Sequence, residues 1–120
     1  MQKINILSID GGGIKGIVSA MVIAKVEELL QHYSQNPQAR IADYFHLIAG
    51  TSTGAILTGL YIAPNAKRRP LYSAENAVNL YVERGPDIFQ KKFLYPVNTC
   101  FGLFGNKYKN KCLHSILNQY

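Results

Sequence analysis

Twice this chain runs a short apolar segment straight into glycine and then into a helical pattern, and that double event restricts its fold more than any other feature. Residues 4–9 are rich in aliphatic and β-branched side chains and end at Asp10-Gly11-Gly12-Gly13, which reads as a buried strand followed by a tight turn. From Ile14 the apolar positions Ile14, Ile17, Val18, Met21, Val22, Val26, Leu29, Leu30 and Tyr33 recur three and four apart. That spacing predicts a helix with this stripe turned inward and Lys25, Glu27, Glu28 and Gln31 facing water. Pro37 and the polar residues before it end the helix near Tyr33, because proline lacks an amide hydrogen and restricts the residue that precedes it. A second apolar run, residues 47–49, enters Gly50, and a further helix is expected from Thr53 to about Ile62, closed by Pro64. Strand, glycine turn and helix in repetition call for parallel strands, and strands apolar on both sides need helices over both faces. The expected class is α/β, a parallel-sheet core flanked by helices in three layers.

Farther along, Ser73 can cap a third helix from Ala74 to about Arg84, with Ala77, Val78, Tyr81 and Val82 inward and Gly85-Pro86 as its stop. Residues 91–107 mix apolar side chains with Pro96, Gly102 and Gly105 and read as irregular, and residues 111–120 return to a helical pattern. A chain of 120 residues holds one domain at most. Two strands make too small a sheet to cover themselves, so residues 1–120 are expected to form the N-terminal portion of one larger domain.

Lys and Arg outnumber Asp and Glu by 13 to 7, a net charge of +6. Basic runs lie at Lys67-Arg68-Arg69, at Lys91-Lys92 and at Lys107, Lys109 and Lys111. Such runs favour anionic partners, with solvated loops as the plainer alternative. No nucleic-acid motif accompanies them, so an anionic membrane surface is the expected partner and nucleic acid is not. Cys100 and Cys112 form neither a close pair nor a Cys/His ligand set, which reads as two thiols in a reducing compartment and no metal site. Residues 4–9 are interrupted by Asn5 and Ser8 and do not resemble a secretion signal. Residues 55–63, the most apolar stretch elsewhere, fall well short of the ~20 residues a spanning helix needs. A cytoplasmic protein, peripheral to membranes at most, is the expectation.

The chemistry is carried by two glycine motifs. Gly50-Thr51-Ser52-Thr53-Gly54 matches Gly-x-Ser-x-Gly, in which a sharp turn between strand and helix lifts a serine hydroxyl out of the backbone. With six serines and 10 glycines in 120 residues, composition alone gives only ~0.04 such matches. A plain glycine turn is the alternative, but the position between an expected strand and an expected helix makes Ser52 the candidate nucleophile. Asp10-Gly11-Gly12-Gly13-Ile14-Lys15-Gly16 likewise joins strand to helix, so several amides converge at a positive helix end, where an anion is stabilised. Around a serine nucleophile that anion is the oxygen of a tetrahedral intermediate, and Lys15 could hold a substrate phosphate. Gly11, Gly13 and Gly16 also spell Gly-x-Gly-x-x-Gly, the mark of a dinucleotide site. That rival wants an acidic residue about 20 positions on. Residues 29–42 contain none, and the rival leaves Ser52 unexplained. A general base is harder to place. Asp87 and His114 follow Ser52 in the order acid then histidine, but capping or surface roles suit both better. His46 begins the strand that ends at the elbow, some 15 to 20 Å from Ser52 at ~3.3 Å per residue. His32 reads as solvent-facing.

Taken together, these residues resemble the patatin-like phospholipase family over the whole chain. Two segments carry the likeness: residues 10–16, similar to that family's oxyanion loop, and Ala42-Asp43-Tyr44-Phe45 with residues 47–54, similar to its nucleophile region. Tyr81, Gly85, Ile88, Phe89, Tyr108 and Leu113-His114-Ser115 extend it. The resemblance implies Ser52 as nucleophile, Gly50, Thr51, Thr53 and Gly54 as its elbow, and Gly11, Gly12 and Gly13 as the oxyanion loop. It further implies acyl-ester hydrolysis of phospholipids or neutral lipids through an acyl-serine, with no metal or cofactor. Lys15 stands where the family often has Arg, and His46 where an acidic residue or Asn is common. The family pairs its serine with an Asp in a downstream Asp-Gly-Gly or Asp-Gly-Ala motif, and the only Asp-Gly here is Asp10-Gly11. By that pattern the base belongs to a remainder of the domain, and these 120 residues alone are expected to turn over little or nothing. A non-catalytic remnant or a module that binds anionic lipid is the reading from another class.

Overall fold

The structure, a computed structural model, describes residues 3–89. The expectations for residues 91–107, residues 111–120, Cys100, Cys112 and His114 lie outside them. Among the described residues two strands form, β1 (Ile6–Ile9) and β2 (Leu47–Gly50), both at the apolar runs that lead into glycine. They pair in parallel, with Ile6 opposite Leu47 and Ile9 opposite Gly50. Around this two-stranded sheet pack three helices, α1 (Gly16–Ser34), α2 (Thr53–Ile62) and α3 (Ala74–Phe89). One 3₁₀ turn, Gly13–Lys15, precedes α1, and another, Ile41–Asp43, precedes β2. The parallel sheet flanked by helices is the α/β class the glycine punctuation implies.

α2 has the expected bounds, and α1 ends one residue past the expected stop. Gln35 takes the left-handed conformation there (φ 52°), and the Asn36 amide reaches back to the Gln31 carbonyl at 3.1 Å, which closes the last turn. Ser73 caps α3 as expected. Its hydroxyl accepts from the Asn76 amide at 3.3 Å while the Asn76 side chain accepts from the Ser73 amide at 2.8 Å.

Three expectations about helix faces and ends fail in whole or in part. On α1 the stripe residues Ile17, Val26 and Leu30 pack partly against the core, but the fully buried positions are Gly16, Ala20, Ile23 and Glu27, whereas Ile14 before it and Val18, Met21, Val22, Leu29 and Tyr33 are exposed. The helix is apolar around more than one face, so its period did not indicate which face turns inward. The small Gly16 and Ala20 permit the close approach, and the larger aliphatics remain outside. On α3, Ala77 and Tyr81 are buried and Val78 packs against the core as expected, but Val82 is exposed and Leu80 is buried. That helix also continues through Gly85-Pro86 to Phe89 rather than stopping there, so Asp87 lies within it. Gly85 is a packing position, because a Cβ on it would lie 2.7 Å from Ile14 Cδ1.

Nine of the described residues make the core: Ile9, Ala20, Ile23, Ile41, Leu57, Tyr61, Ala74, Ala77 and Tyr81. Into it reaches the one side chain whose burial most contradicts its chemistry. Glu27, expected in water, is 4% exposed. Its carboxylate accepts from the Ile41 amide at 3.0 Å and from the Ala74 amide at 2.9 Å. One carboxylate therefore ties α1 to the turn before β2 and to the first residue of α3. The positive helix end and the two amides together compensate its desolvation. Tyr61 is pushed well above the usual tyrosine value by burial and by the neighbouring Glu27 charge.

On the surface, the Arg69 guanidinium grips the Asp43 carboxylate through both terminal nitrogens, and the Arg40 amide donates to it at 2.8 Å. The hydrogen bond from Arg69 chiefly holds the Asp43 carboxyl below its ordinary value of 3.8, against a smaller opposing effect of burial. The lowered value means that the stabilisation is complete above the ordinary carboxylate pKa and is lost as pH falls through the folded one.

Two outcomes are expected in urea titrations of the intact protein. Glu27→Ala should lower the unfolding free energy by about 2–5 kcal/mol, because two buried amides lose their acceptor; a loss under about 1 kcal/mol would remove Glu27 from this role. Asp43→Asn should flatten the decline of the urea midpoint below about pH 4 relative to the unsubstituted protein, and an unchanged acid limb would show that the Arg69 pairing contributes nothing.

Candidate active site

Parallel strands in register end at the same level, so whatever follows β1 and β2 must meet. Ile9 opposes Gly50, and the Thr51 amide donates to the Ile9 carbonyl at 3.1 Å, which carries the pairing one residue past the sheet. The segment from Asp10 to Gly16 and the segment from Thr51 to Gly54 therefore lie side by side at the C-terminal edge of the sheet, where ligands of open α/β sheets bind.

Ser52 is the residue on which the turn pivots. It precedes α2 at φ 52° and ψ −121°, a left-handed backbone conformation that side chains other than glycine seldom adopt. The strain is maintained by a short hydrogen-bonded bend, with the Gly54 amide on the Thr51 carbonyl at 2.8 Å and the Ala55 amide on the Ser52 carbonyl at 3.0 Å. Ser52 is exposed, and its hydroxyl has no hydrogen-bond partner among the described residues. The motif glycines are sterically required. A Cβ on Gly50 would lie 2.2 Å from the Gly54 carbonyl oxygen, and one on Gly54 would lie 2.1 Å from that of Ile9.

Across from the elbow, Gly11 is packed so closely that a Cβ on it would come within 2.7 Å of Ser52 Cβ. The two threonines that bracket the serine each accept from the glycine loop: Gly11 N–H donates to Thr51 Oγ1 at 3.1 Å and Gly12 N–H to Thr53 Oγ1 at 3.2 Å. These threonine clasps are the feature that sequence reasoning missed, since it treated Thr51 and Thr53 only as flanks of the serine. The Gly11 and Gly12 amides, both expected to face substrate, are thus committed to the elbow. Gly13 differs: at φ 60°, it opens the 3₁₀ turn, and its amide has no acceptor among the described residues. Lys15, exposed, follows at the end of that turn and directly before α1.

The remaining candidates are elsewhere. His46 sits at the opposite end of β2, its Nδ1 accepting from the Asn5 amide at 3.1 Å, and His32 is exposed on α1, edge-on to Tyr33. No group of His, Cys, Asp and Glu among the described residues could hold a metal, and no described helix is long and apolar enough to cross a membrane.

The described residues thus form a parallel sheet flanked by helices, with a positive-φ serine between strand and helix that faces a glycine loop at the strand ends, which places the chain in the α/β class. Within that class the chain belongs to the patatin-like phospholipase family, whose model matches residues 7–117. It is 43% identical to patatin-like protein 2 of Oryza sativa subsp. indica, an alignment that covers 99% of this chain and 30% of that protein. Patatin-like protein 4 of Arabidopsis thaliana is 40% identical over 97% of this chain and 29% of its own length. Patatin-T5 of Solanum tuberosum is 42% identical, with 98% and 28% covered. The chain thus spans about 30% of the length of these curated relatives.

Two glycines separate packing from propensity. Gly54→Ala should cost about 3 kcal/mol or more, since its new Cβ meets backbone that cannot yield. Gly59→Ala, on the exposed side of α2 with nothing within 4 Å of the added carbon, should stabilise by about 0.5–1 kcal/mol. Urea titration of both variants checks the pair, and equal effects would refute the elbow packing.

Proposed function

We propose that Ser52 is the nucleophile of a serine hydrolase that cleaves acyl esters of phospholipids or neutral lipids. The observation that carries this reading is the strained, exposed Ser52 pressed against the glycine loop at the strand ends. In the proposed reaction, Ser52 Oγ attacks the ester carbonyl carbon as its proton passes to a carboxylate base. The carbonyl oxygen becomes an oxyanion; collapse expels the alcohol and leaves an acyl-serine, and water attacks that ester in turn to release the fatty acid and restore the hydroxyl.

Three features favour the charge that develops. The Gly13 amide is available for the oxyanion, while Gly11 and Gly12 hold the loop in place around it. The N-terminal ends of α1 and α2 both lie at this edge of the sheet and carry partial positive charge. Lys15 supplies a cation for a lipid phosphate. The base in this proposal is an Asp from the remainder of the family's domain, outside the described residues. No metal or cofactor has a part in it. Lys67 and Arg68, both exposed, suit a protein that works at an anionic membrane surface from the cytoplasmic side.

A fluorophosphonate probe tests the nucleophile. The intact protein should label at Ser52, and Ser52→Ala should lose both labelling and lipid esterase turnover, the latter by about 10⁴-fold or more. Undiminished labelling of the variant would remove Ser52 from the reaction. Binding to anionic vesicles without Ser52-dependent turnover would point instead to a lipid-binding module.

A further inference from the structure

We infer that Thr53 is a positioning residue whose hydroxyl, seated against Tyr81, holds the Gly12 amide and so fixes the glycine loop beside Ser52. The inference rests on the hydrolase reading and adds to it a residue outside the reacting groups.

The two threonine clasps are not equivalent. The Gly11 to Thr51 bond is exposed to water, which competes for both partners, whereas Thr53 is 4% exposed and Tyr81 5%. Behind Thr53 the Tyr81 hydroxyl borders the same space beside Gly16, so the threonine oxygen faces a polar group on the core side as it accepts from the loop. The space in which they meet is kept open by Gly16: a Cβ there would lie 2.5 Å from Tyr81 Oη and 3.1 Å from Thr53 Oγ1. One small polar junction thereby joins the first residue of α1, the first residue of α2 and the middle of α3. Gly13 follows Gly12 directly, so a Gly12 amide that loses its acceptor lets the Gly13 amide drift from the position the oxyanion requires. A displacement of about 1 Å at such a donor is enough to cost on the order of 10²-fold in rate.

The chemistry predicts an asymmetry between two substitutions, in which the one that keeps the volume is the more damaging. Thr53→Val keeps the shape and removes the acceptor; Thr53→Ser keeps the acceptor. In the intact protein acting on a p-nitrophenyl acyl ester, Thr53→Val should lower kcat about 10-fold or more with KM little changed. Thr53→Ser should restore most of the loss. Independently of turnover, the Gly12 amide of Thr53→Val should exchange its hydrogen about 10-fold faster. If Thr53→Val does not fold, Tyr81→Phe, which removes the hydroxyl from behind, should show the same selective fall in kcat. Ser52-dependent hydrolysis at an unchanged kcat in Thr53→Val, or equal losses in the Val and Ser variants, would overturn the inference alone. Absence of Ser52-dependent hydrolysis in the unsubstituted protein would instead defeat the hydrolase reading beneath it.

Discussion

The parallel register that places Ile9 opposite Gly50 is the constraint on which the rest depends. Two strands that end level with each other deliver two glycine-rich turns to one place, and each turn opens a helix. Converging helix ends bring partial positive charge, and bent backbone brings unpaired amides. The sheet is small, yet its register alone accounts for the neighbourhood of Ser52. A slip of a single residue would turn every strand side chain to the other face and part the two loops.

Around that register the helices are held less by apolar burial alone than by polar groups in defined positions. Glu27 accepts from amides of two distant segments, and Thr53 accepts from the loop while Tyr81 packs behind it. Buried polar contacts of this kind discriminate between arrangements, since a displaced helix would leave a carboxylate or an amide without a partner in a dry interior. Packing sterics act in the same sense at the elbow, where Gly54 admits the Ile9 carbonyl and Gly11 admits Ser52.

Much of this was legible in the residues. Apolar runs that stop at glycine located both strands, and the Gly-x-Ser-x-Gly spacing located the tight turn at Ser52, because short-range sterics write themselves into glycine positions. Faces were harder. Glu27 was placed in water since its type gives no hint that amides of Ile41 and Ala74 await it, and those partners lie 14 and 47 residues away. Gly85-Pro86 looked like a stop, although Gly85 serves the contact with Ile14 and the helix goes on to Phe89. Among the oxyanion-loop residues, the glycines themselves were evident, but their division into clasped amides at Gly11 and Gly12 and an available one at Gly13 was not. That division depends on threonine hydroxyls whose direction only the folded backbone sets.

The central claim is that Ser52 and the Gly13 amide address one reacting centre. A crystal structure of the intact protein with a phosphonate covalently attached tests it most directly. The account predicts phosphorus bonded to Ser52 Oγ and the phosphoryl oxygen within about 3.1 Å of the Gly13 nitrogen, the reach of an oxyanion donor. An adduct at Ser52 whose phosphoryl oxygen points away from the glycine loop, or an adduct on another residue, would contradict it.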